Sequence, residues 1–296
     1  MIVITTPTGD IGSQVLDTLL RDTNGEELRV IVRDPDRLPA SVRERADVVV
    51  GSHGDAAVVD RAFTGADAVF WVVPPDPGTA SLDAAFSGFT RAAAQTFADH
   101  GVGHVVGVSA LGRGTPVAER AGLVTASLAM DDLIAETGAA YRALANPSFM
   151  DNLLRQVDAI REKGVFTGTV EPDRKAPSAA TRDIAAVAAK LLLDRSWTGI
   201  GAVPVLGPED LSANDMARIV SAVLGRPVRY ERQRLDELGG TLSGYGLGDA
   251  FVHGMVDMMR AKDEGLDAGV PRTPDTATPT TFTRWCEEVL KPAVLA

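Results

Sequence analysis

Short apolar runs alternate with helical patterns through the first half of the chain. The runs are continuous rather than strictly alternating, which is typical of strands buried on both faces of a parallel sheet. Between them, apolar residues recur every three or four positions, as they do in an amphipathic helix. The predicted strands are, in order, "MIVITT", "ELRVIVR", "ADVVVGS", "ADAVFWVVPP", "HVVGVSA" and a segment within "GAAYRALANP".

Strands separated by helices of this length run parallel, with right-handed crossovers and helices on both faces of the sheet. The order predicts an α/β fold with a Rossmann-type, doubly wound parallel sheet in residues 1–150. The pattern is less regular after Pro147. We expect residues 151–296 to form a smaller C-terminal α/β substrate lobe, with residues 180–206 completing the sheet. Further helices are predicted within "TRDIAAVAAKLLLD", "SANDMARIVSAVLG", "YGLGDAFVHGMVDMMRAKDEG" and "FTRWCEEVLKPAV".

The segment "TTPTGDIG" lies between the first predicted strand and the first predicted helix. A phosphate held there needs backbone N–H groups at the positive end of a helix, and glycines that allow close approach. Two glycines have the required spacing, but a threonine replaces the usual first glycine and a proline lacks one N–H donor. The alternative to a dinucleotide site is a decayed loop kept only as a turn. The predicted cofactor residues are Thr6, Thr8, Gly9, Asp10, Ile11 and Gly12, with Val73 and Pro74 at the end of the fourth strand.

The end of the second predicted strand indicates which dinucleotide binds. An acidic residue there would accept hydrogen bonds from a ribose 2′-hydroxyl and repel a 2′-phosphate. This strand instead ends in Arg33, whose guanidinium can bind a phosphate through two hydrogen bonds. We therefore expect NADP(H) as the preferred cofactor and NAD(H) as a possible one. The alternative is that Asp34 or Asp36 pairs with Arg33 at the surface.

The composition and net charge of the chain limit the kinds of molecule that the protein is expected to bind. A formal net charge of −11 argues against sequence-independent binding to nucleic acid, which needs a basic face. No apolar run approaches the length of a membrane span, and "MIVIT" leads straight into the loop without a signal sequence, so we expect a cytoplasmic protein. The single cysteine, Cys286, excludes an intramolecular disulfide, and the histidine spacing predicts no metal site. A small molecule or another protein is the expected partner, and the chain could be a monomer or a homodimer.

Several motifs together carry a family resemblance over nearly the whole chain. In order, they are "ITTPTGDIG", "VRDPDRL", "FWVVPP", "VVGVSALG", "NPSFMDNLL", "TRDIAAVAAKLLLD" and "LGPEDLSANDMARIVSAVLGRPVRY". The chain thereby resembles the NmrA-like atypical short-chain dehydrogenase/reductases. The resemblance implies a Rossmann-type domain that binds NADP(H) or NAD(H), a smaller C-terminal lobe, and a substrate cleft between them. Some members of the family reduce quinones, whereas others are thought to sense the NADP/NADPH ratio.

The chain departs from the family at the catalytic helix. Short-chain reductases usually carry a Tyr-x-x-x-Lys pair after strand five, in which the tyrosine donates the proton. Leu123 and Ser127 stand at the matching positions, and no lysine occurs between Met1 and Ala129. Ser109 matches the position of the family's active-site serine or threonine, and we assign it the catalytic role.

Two explanations of the missing pair compete. In the first, the protein has lost its chemistry and only binds a nucleotide. In the second, its reaction does not need a strong acid. Hydride transfer to a ketone generates a basic alkoxide and gains about 10²–10⁴-fold from general acid catalysis. Hydride transfer to a quinone generates a delocalised anion, for which orientation and one hydrogen bond from Ser109 could be sufficient.

Apolar and aromatic residues near the predicted sheet edge fit an aromatic substrate. They follow the fourth and sixth strands, at the edge where ligands of open α/β sheets bind, or lie on a C-terminal helix. Residues of this type are also common in protein cores, and the asparagine among them could instead cap a helix. The predicted substrate residues are Trp71, Phe149, Met150, Asn152, Phe251 and Met255.

The favoured hypothesis from the sequence is an NAD(P)H-dependent reductase of a bulky aromatic quinone or polyketide. It could form the reductive half of a hydroxylating system, with an oxygenase as its partner. The alternative is a non-catalytic NADP(H)-binding redox sensor that binds a regulatory protein. An epimerase is disfavoured because the tyrosine and the lysine are absent.

Overall fold

The computed structural model describes residues 1–22 and 25–296, which contain twelve strands and twelve α-helices. The strands are β1 (Ile2–Ile4), β2 (Leu28–Val32), β3 (Asp47–Val50), β4 (Ala68–Trp71), β5 (His104–Ala110), β6 (Ala140–Asn146), β7 (Ser148–Phe149), β8 (Val165–Gly168), β9 (Ala176–Ala179), β10 (Ile200–Pro204), β11 (Asp210–Leu211) and β12 (Arg229–Arg232). The helices are α1 (Gly12–Asp22), α2 (Ala40–Arg43), α3 (Ala56–Phe63), α4 (Phe89–His100), α5 (Leu123–Ala135), α6 (Val157–Lys163), α7 (Thr181–Leu193), α8 (Ala213–Leu224), α9 (Leu235–Gly244), α10 (Asp249–Asp263), α11 (Phe282–Trp285) and α12 (Lys291–Leu295).

Seven strands form one parallel sheet in the order β3-β2-β1-β4-β5-β6-β10. Helices α1 and α7 cover one face, and α3, α4 and α5 cover the other, each through a continuous apolar cluster. This arrangement confirms the predicted doubly wound α/β fold. The strand order reverses between β1 and β4, and open α/β sheets bind ligands at such a reversal, outside the carboxyl ends of the strands.

The C-terminal part has an apolar core of its own beside two small sheets. One small sheet has the order β11-β9-β7, and the other pairs β12 with β8. The core is built mainly from α8, α11 and the residues around them. Cys286 is fully buried in it and packs there as a small apolar residue.

Two buried or part-buried carboxylates hold the C-terminal segments against the sheet. The carboxylate of Asp183 in α7 accepts hydrogen bonds from the backbone N–H and the hydroxyl of Thr280, at 3.0 and 2.8 Å. The carboxylate of Asp151 accepts the corresponding pair from Thr181, at 3.0 and 2.9 Å. Asp183 is therefore a structural residue that ties α7 to the C-terminal segment.

Helix α10 packs against α5 and α9. The N–H of Gly248, just before α10, donates to the carbonyl oxygen of Pro77 at 2.8 Å. Gly254 in α10 packs so closely on Leu82 and Gly122 that side chains would not fit there. The longest described helix is α10, with 15 residues, and no helix in residues 1–22 and 25–296 has the length and hydropathy of a bilayer span.

Candidate functional site

The turn after β1 begins with a threonine that belongs to the sheet. The hydroxyl of Thr5 donates to the carbonyl oxygen of Phe70 at 2.9 Å and accepts from the N–H of Val72 at 3.0 Å. Its side chain is fully buried. Thr5 therefore ties β1 to the end of β4 at the strand-order reversal, and its hydroxyl is not directed to a ligand.

Thr6 adopts a conformation that normally requires glycine. Its φ is 50°, and it is the one non-glycine residue with positive φ in the described part of the chain. A left-handed conformation costs a residue with a Cβ roughly 1–2 kcal/mol. The turn that glycine makes in related loops is therefore kept, and the N–H of Gly9 closes it on the carbonyl oxygen of Thr6 at 3.0 Å.

Gly12 begins α1 directly against this turn. A Cβ at Gly12 would overlap the carbonyl oxygen of Thr6, whereas a Cβ at Gly9 would make ordinary contact. Gly12 is therefore needed for the close packing of helix and turn, and Gly9 leaves the loop surface open to a ligand. Ile11 is buried beneath the loop, and Asp10 is exposed above it.

The loop is also fixed from outside. The side chain of Gln14 donates to the carbonyl oxygen of Asp10 at 2.5 Å and to the hydroxyl of Thr181 at 3.0 Å. Thr181 is the first residue of α7 and is held in turn by Asp151. The dipole of α1 and the first N–H groups of this helix thus face a rigid, glycine-lined turn, which fits a pyrophosphate.

Arg33 is exposed just after β2, where a dinucleotide's adenosine ribose would lie. The two neighbouring carboxylates are used elsewhere: Asp34 accepts a hydrogen bond from the N–H of Asp36 at 3.1 Å, and Asp36 lies 4.0 Å from Arg43. The surface pairing considered for Arg33 is therefore not seen within the described residues. The guanidinium of Arg33 can therefore bind a phosphate.

His53 lies beside this position and was not expected to belong to the site. Burial lowers the pKa of His53 to about 4, the bond to the Val72 carbonyl opposes this, and the charge of Arg33 lowers it further. The ring nitrogen Nε2 lies 2.8 Å from the Val72 oxygen, and the ring packs edge-on against Trp71 and Phe89. His53 is therefore uncharged at pH 7 and lines this side of the site.

The end of β4 differs from the sequence prediction in one respect. Trp71 is fully buried, and its ring nitrogen donates to the hydroxyl of Thr90 at 3.2 Å. It packs edge-on against Phe97 in the core, so it does not line a substrate cleft as predicted. Because the Trp71 side chain points from the sheet toward the helices on that face, it is not available at the carboxyl edge of the strands. Val73 and Pro74, which follow Trp71, lie at that edge, with Pro74 exposed.

Ser109 is the hydroxyl-bearing residue near the end of β5. Its hydroxyl donates to Oδ2 of Asp131 in α5 at 2.5 Å, and the hydroxyl of Tyr141 in β6 donates to Oδ1 at 2.6 Å. All three side chains are buried. Sequence reasoning missed Asp131 and Tyr141, although one signal was present: Leu123, Ser127 and Asp131 are four residues apart and share one face of α5.

Asn146 ends β6 beside Ser109 and was also missed. Its amide nitrogen donates to the carbonyl oxygens of Ser109 and Leu144, at 3.0 and 2.8 Å. Its amide oxygen is buried and has no hydrogen-bond partner among the described residues. An unpaired buried acceptor is unusual and marks the end of β6 as a position for a ligand donor.

The residues after β6 divide between core and surface. Met150 is 1% exposed and packs in the apolar core of the C-terminal part, contrary to its predicted contact with substrate. Met150 begins a 3₁₀-helix, and its side chain packs with that of Leu153 in this core. Phe149 is half-buried and Asn152 is exposed. Helix α6 is preceded by Gln156, so Asn152 is not its cap.

Two residues of α10 complete the predicted substrate set. Phe251 and Met255 are half-buried and pack on the apolar cluster that contains α4 and α5. Met258, one turn further, packs there as well. These three residues of α10 therefore pack on the cluster that includes α5, the helix that carries Asp131.

In residues 1–22 and 25–296, no three His, Cys, Asp or Glu side chains are grouped as metal ligands. The residues around the loop instead fit a dinucleotide: a glycine cradle at a helix N-terminus, an arginine at the ribose position, and a hydroxyl at the end of β5.

Comparisons with known proteins agree with this fit. A family model described as NAD(P)H-binding matches residues 7–195. The (4-alkanoyl-5-oxo-2,5-dihydrofuran-3-yl)methyl phosphate reductase of Streptomyces griseus is 33% identical over 239 residues, which cover 80% of this chain and 78% of the relative. Quinone oxidoreductase 2 of Escherichia coli is 25% identical over 269 residues, or 91% and 89% of the two chains.

Among solved structures, an NADPH complex of an NADPH-dependent quinone oxidoreductase from Escherichia coli superposes with a TM-score of 0.75 at 22% identity. The superposition covers 96% of this chain and 97% of that chain, and it supports the same fold throughout.

Proposed function

The chain belongs to the NAD(P)H-binding family as an NAD(P)H-dependent reductase, and we propose that it reduces flat, conjugated carbonyl compounds of the quinone type. The family membership predicted from the motifs is confirmed by the match over residues 7–195. The substrate class is a proposal that follows from the chemistry of the site.

One observation carries the proposal: the two positions of α5 that match the tyrosine and the lysine of the family hold neither residue. Leu123 and Ser127 occupy these positions, both buried, and Ser109 is the hydroxyl on that side of β5. A site without a cationic lysine and a tyrosine suits an acceptor whose reduced form is a delocalised anion. A simple ketone, which forms a localised alkoxide, would be reduced poorly.

The names of the relatives support this class. The Streptomyces relative is named for an unsaturated ring whose double bond is conjugated with carbonyl groups, and the Escherichia coli relative is named for quinones. In both compounds, the negative charge formed on reduction spreads over a conjugated system. Because such relatives are named reductases, a non-catalytic sensor is the less favoured function.

The cofactor would be held by residues of the β1–α1 loop and of the ends of β2 and β4. The loop would bind the pyrophosphate and Arg33 the 2′-phosphate of NADP(H). When bound, NADPH supplies the hydride. The proposed cofactor residues are Thr6, Thr8, Gly9, Asp10, Ile11, Gly12, Arg33, Val73 and Pro74.

The substrate would lie between this edge and α10. Phe149, Phe251 and Met255 are the half-buried apolar residues available to it, and Asn152 is the exposed polar one. Ser109 would donate a hydrogen bond to the oxygen that becomes negative. A reduced quinone reacts readily with oxygen, so the partner oxygenase expected from the sequence stays a prediction of this substrate class.

The test is a panel of acceptors with NADPH. We expect oxidation of NADPH with naphthoquinones and cyclic enones and little with simple ketones of similar size. Ser109→Ala should lower turnover about tenfold or more and leave the affinity for NADPH unchanged. Equal turnover of ketones and quinones would overturn the substrate class, and no oxidation with any acceptor would overturn the reductase.

A further inference from the structure

Asp131 is a buried carboxylate that binds two hydroxyl groups and has no assigned role. It lies in α5 with its side chain directed at the sheet, where Ser109 and Tyr141 donate to its two oxygens at 2.5 and 2.6 Å. The exposed fractions of Ser109, Asp131 and Tyr141 are 6%, 4% and 1%. Water therefore has little access to this group, and its protonation state depends on its neighbours.

The charges that face Asp131 come from two elements. Arg113, in the connection between β5 and α5, places a guanidinium nitrogen 3.9 Å from Oδ2 of Asp131 and 2.9 Å from the carboxylate of Asp132. Asp132 is exposed on the same helix. The nearest positive charge is thus shared with a second carboxylate and is half-exposed, so it stabilises the ionised form of Asp131 only weakly.

Burial has the largest effect on the pKa of Asp131. It raises the pKa of Asp131 to about 6, although the hydrogen bonds from Ser109 and Tyr141 and the charge of Arg113 lower it. Burial also raises the pKa of the Tyr141 phenol well above its usual value, with the adjacent Asp131 as the next cause. Near neutral pH, Tyr141 therefore keeps its proton, and Asp131 is the group that can gain or lose one.

The two states of Asp131 have opposite effects on Ser109. A hydroxyl has a single proton to donate. When Asp131 is ionised, that proton points into the protein, and Ser109 offers a substrate only lone pairs. When Asp131 is protonated, its O–H can donate to Oγ of Ser109, and the serine proton is free to point toward the sheet edge. Only the second state lets Ser109 act as a donor to a substrate oxygen.

From this geometry we propose that Asp131 is the proton reservoir of the reduction and acts through Ser109, in place of the absent tyrosine and lysine. The inference rests on the proposed function. With the hydride and its two electrons supplied by the cofactor, the acceptor is reduced and one of its oxygens becomes negative. The Ser109 proton forms the new O–H bond on that oxygen, and the Asp131 proton replaces it on Oγ. Asp131 remains as a carboxylate, held by both hydroxyls, and regains a proton through the Ser109 hydroxyl, which takes one from water, before the next cycle.

Asp131 is in these terms a positioning residue, because it does not touch the substrate. A merely structural carboxylate would support the fold equally in both of its protonation states. A reservoir makes turnover depend on its protonation, so turnover should be highest below the pKa of Asp131 and should fall about tenfold per pH unit above it, until another donor takes over.

The experiment measures kcat against pH with NADPH and a naphthoquinone, for the wild type and three variants. Asp131→Asn keeps the size of the side chain but cannot give up a proton, so its kcat should be lower by about tenfold or more at about pH 5 and should not vary with pH near 6. Tyr141→Phe removes one donor to the carboxylate and should move the break to higher pH. Asp158→Asn, which changes an exposed carboxylate of α6 paired with Arg161, is the matched control and should keep the break.

A second readout needs no turnover. The infrared band of the protonated carboxyl group, followed in the cofactor-free protein, should show one group that titrates near pH 6 in the wild type and is missing in Asp131→Asn. Tyr141→Phe serves if Asp131→Asn fails to fold, since it retains the carboxylate. The same kcat break in Asp131→Asn as in the wild type, or an unshifted break in Tyr141→Phe, would overturn the reservoir alone. No NADPH oxidation at any pH would overturn the proposed function and the reservoir together.

Discussion

Gly12 lies directly against the carbonyl oxygen of Thr6, with no space for a side chain between the first helix and the turn that precedes it. Thr6 holds its carbonyl there by adopting a positive φ of 50°. The two residues therefore depend on each other: the strained threonine forms the turn, and the glycine lets the helix begin beside it. The N–H groups that a pyrophosphate needs are positioned by this contact.

Substitution of Gly12 should damage the cofactor site specifically. The Cβ of Gly12→Ala would overlap the Thr6 carbonyl, so the turn must move and the affinity for NADPH should fall at least about tenfold. Calorimetric titration measures the change. Gly240→Ala is the control, because nothing lies within 4 Å of a Cβ at Gly240. Equal affinities of Gly12→Ala and the wild type would show that the loop does not bind the pyrophosphate.

Substitution of Arg33 should change the choice of cofactor. A guanidinium–phosphate hydrogen bond contributes about 1.5–3 kcal/mol, so Arg33→Ala should weaken NADPH binding about ten- to a hundredfold and leave NADH binding unchanged. The dissociation constants of both nucleotides give the result. Arg218, an exposed arginine of α8 paired with Asp215, supplies the control variant Arg218→Ala. Parallel losses for NADPH and NADH would contradict the assignment.

The sequence predicted the large sheet well because buried parallel strands leave long apolar runs. The strand "HVVGVSA" coincides with β5. The fourth strand was predicted to continue to Pro75 but ends at Trp71, because the Thr5 hydroxyl takes the N–H of Val72. The small strands β7, β9 and β11 have two to four residues, too few for any periodicity to mark them.

The site was predictable where it depends on the backbone and less so where it depends on tertiary contacts. The loop is marked by its glycines. Asp131 precedes Asp132 in "MDDL", and two adjacent acidic residues normally lie on an exposed helix face. Only the packing of α5 on the sheet separates them, burying Asp131 and exposing Asp132. Trp71 and Met150 were assigned to the substrate only because they follow or end predicted strands. Both side chains are instead buried in the core.

The raised pKa of Asp131 should appear in the stability of the protein. A buried carboxyl group binds its proton more tightly in the folded chain than in the unfolded chain, so the stability it contributes is present at low pH and is lost as pH rises from about 4 to about 6. The loss amounts to about 3 kcal/mol for a shift of roughly two pH units. Urea unfolding across this range should show the free energy of unfolding of the wild type falling by this amount relative to that of Asp131→Asn; a constant difference between the two proteins would contradict it.

The tie between α7 and the C-terminal segment should contribute strongly to stability. Asp183→Ala leaves the buried N–H and hydroxyl of Thr280 without an acceptor, so the free energy of unfolding should fall by about 2–4 kcal/mol. Asp173→Ala, which removes an exposed bond to Asn214, should change it by about 0.5 kcal/mol or less. Urea unfolding measures both, and similar small losses would show that the tie is not important.

The central claim is that NADPH bound at the β1–α1 loop gives its hydride to a conjugated acceptor beside Ser109. Anaerobic single-turnover mixing with a naphthoquinone tests it most directly, using NADPH that carries deuterium at either face of the nicotinamide C4. The account predicts that deuterium on one face slows the decay of the nicotinamide absorbance and that deuterium on the other face does not. A decay that neither label slows, or no decay with any acceptor, would contradict it.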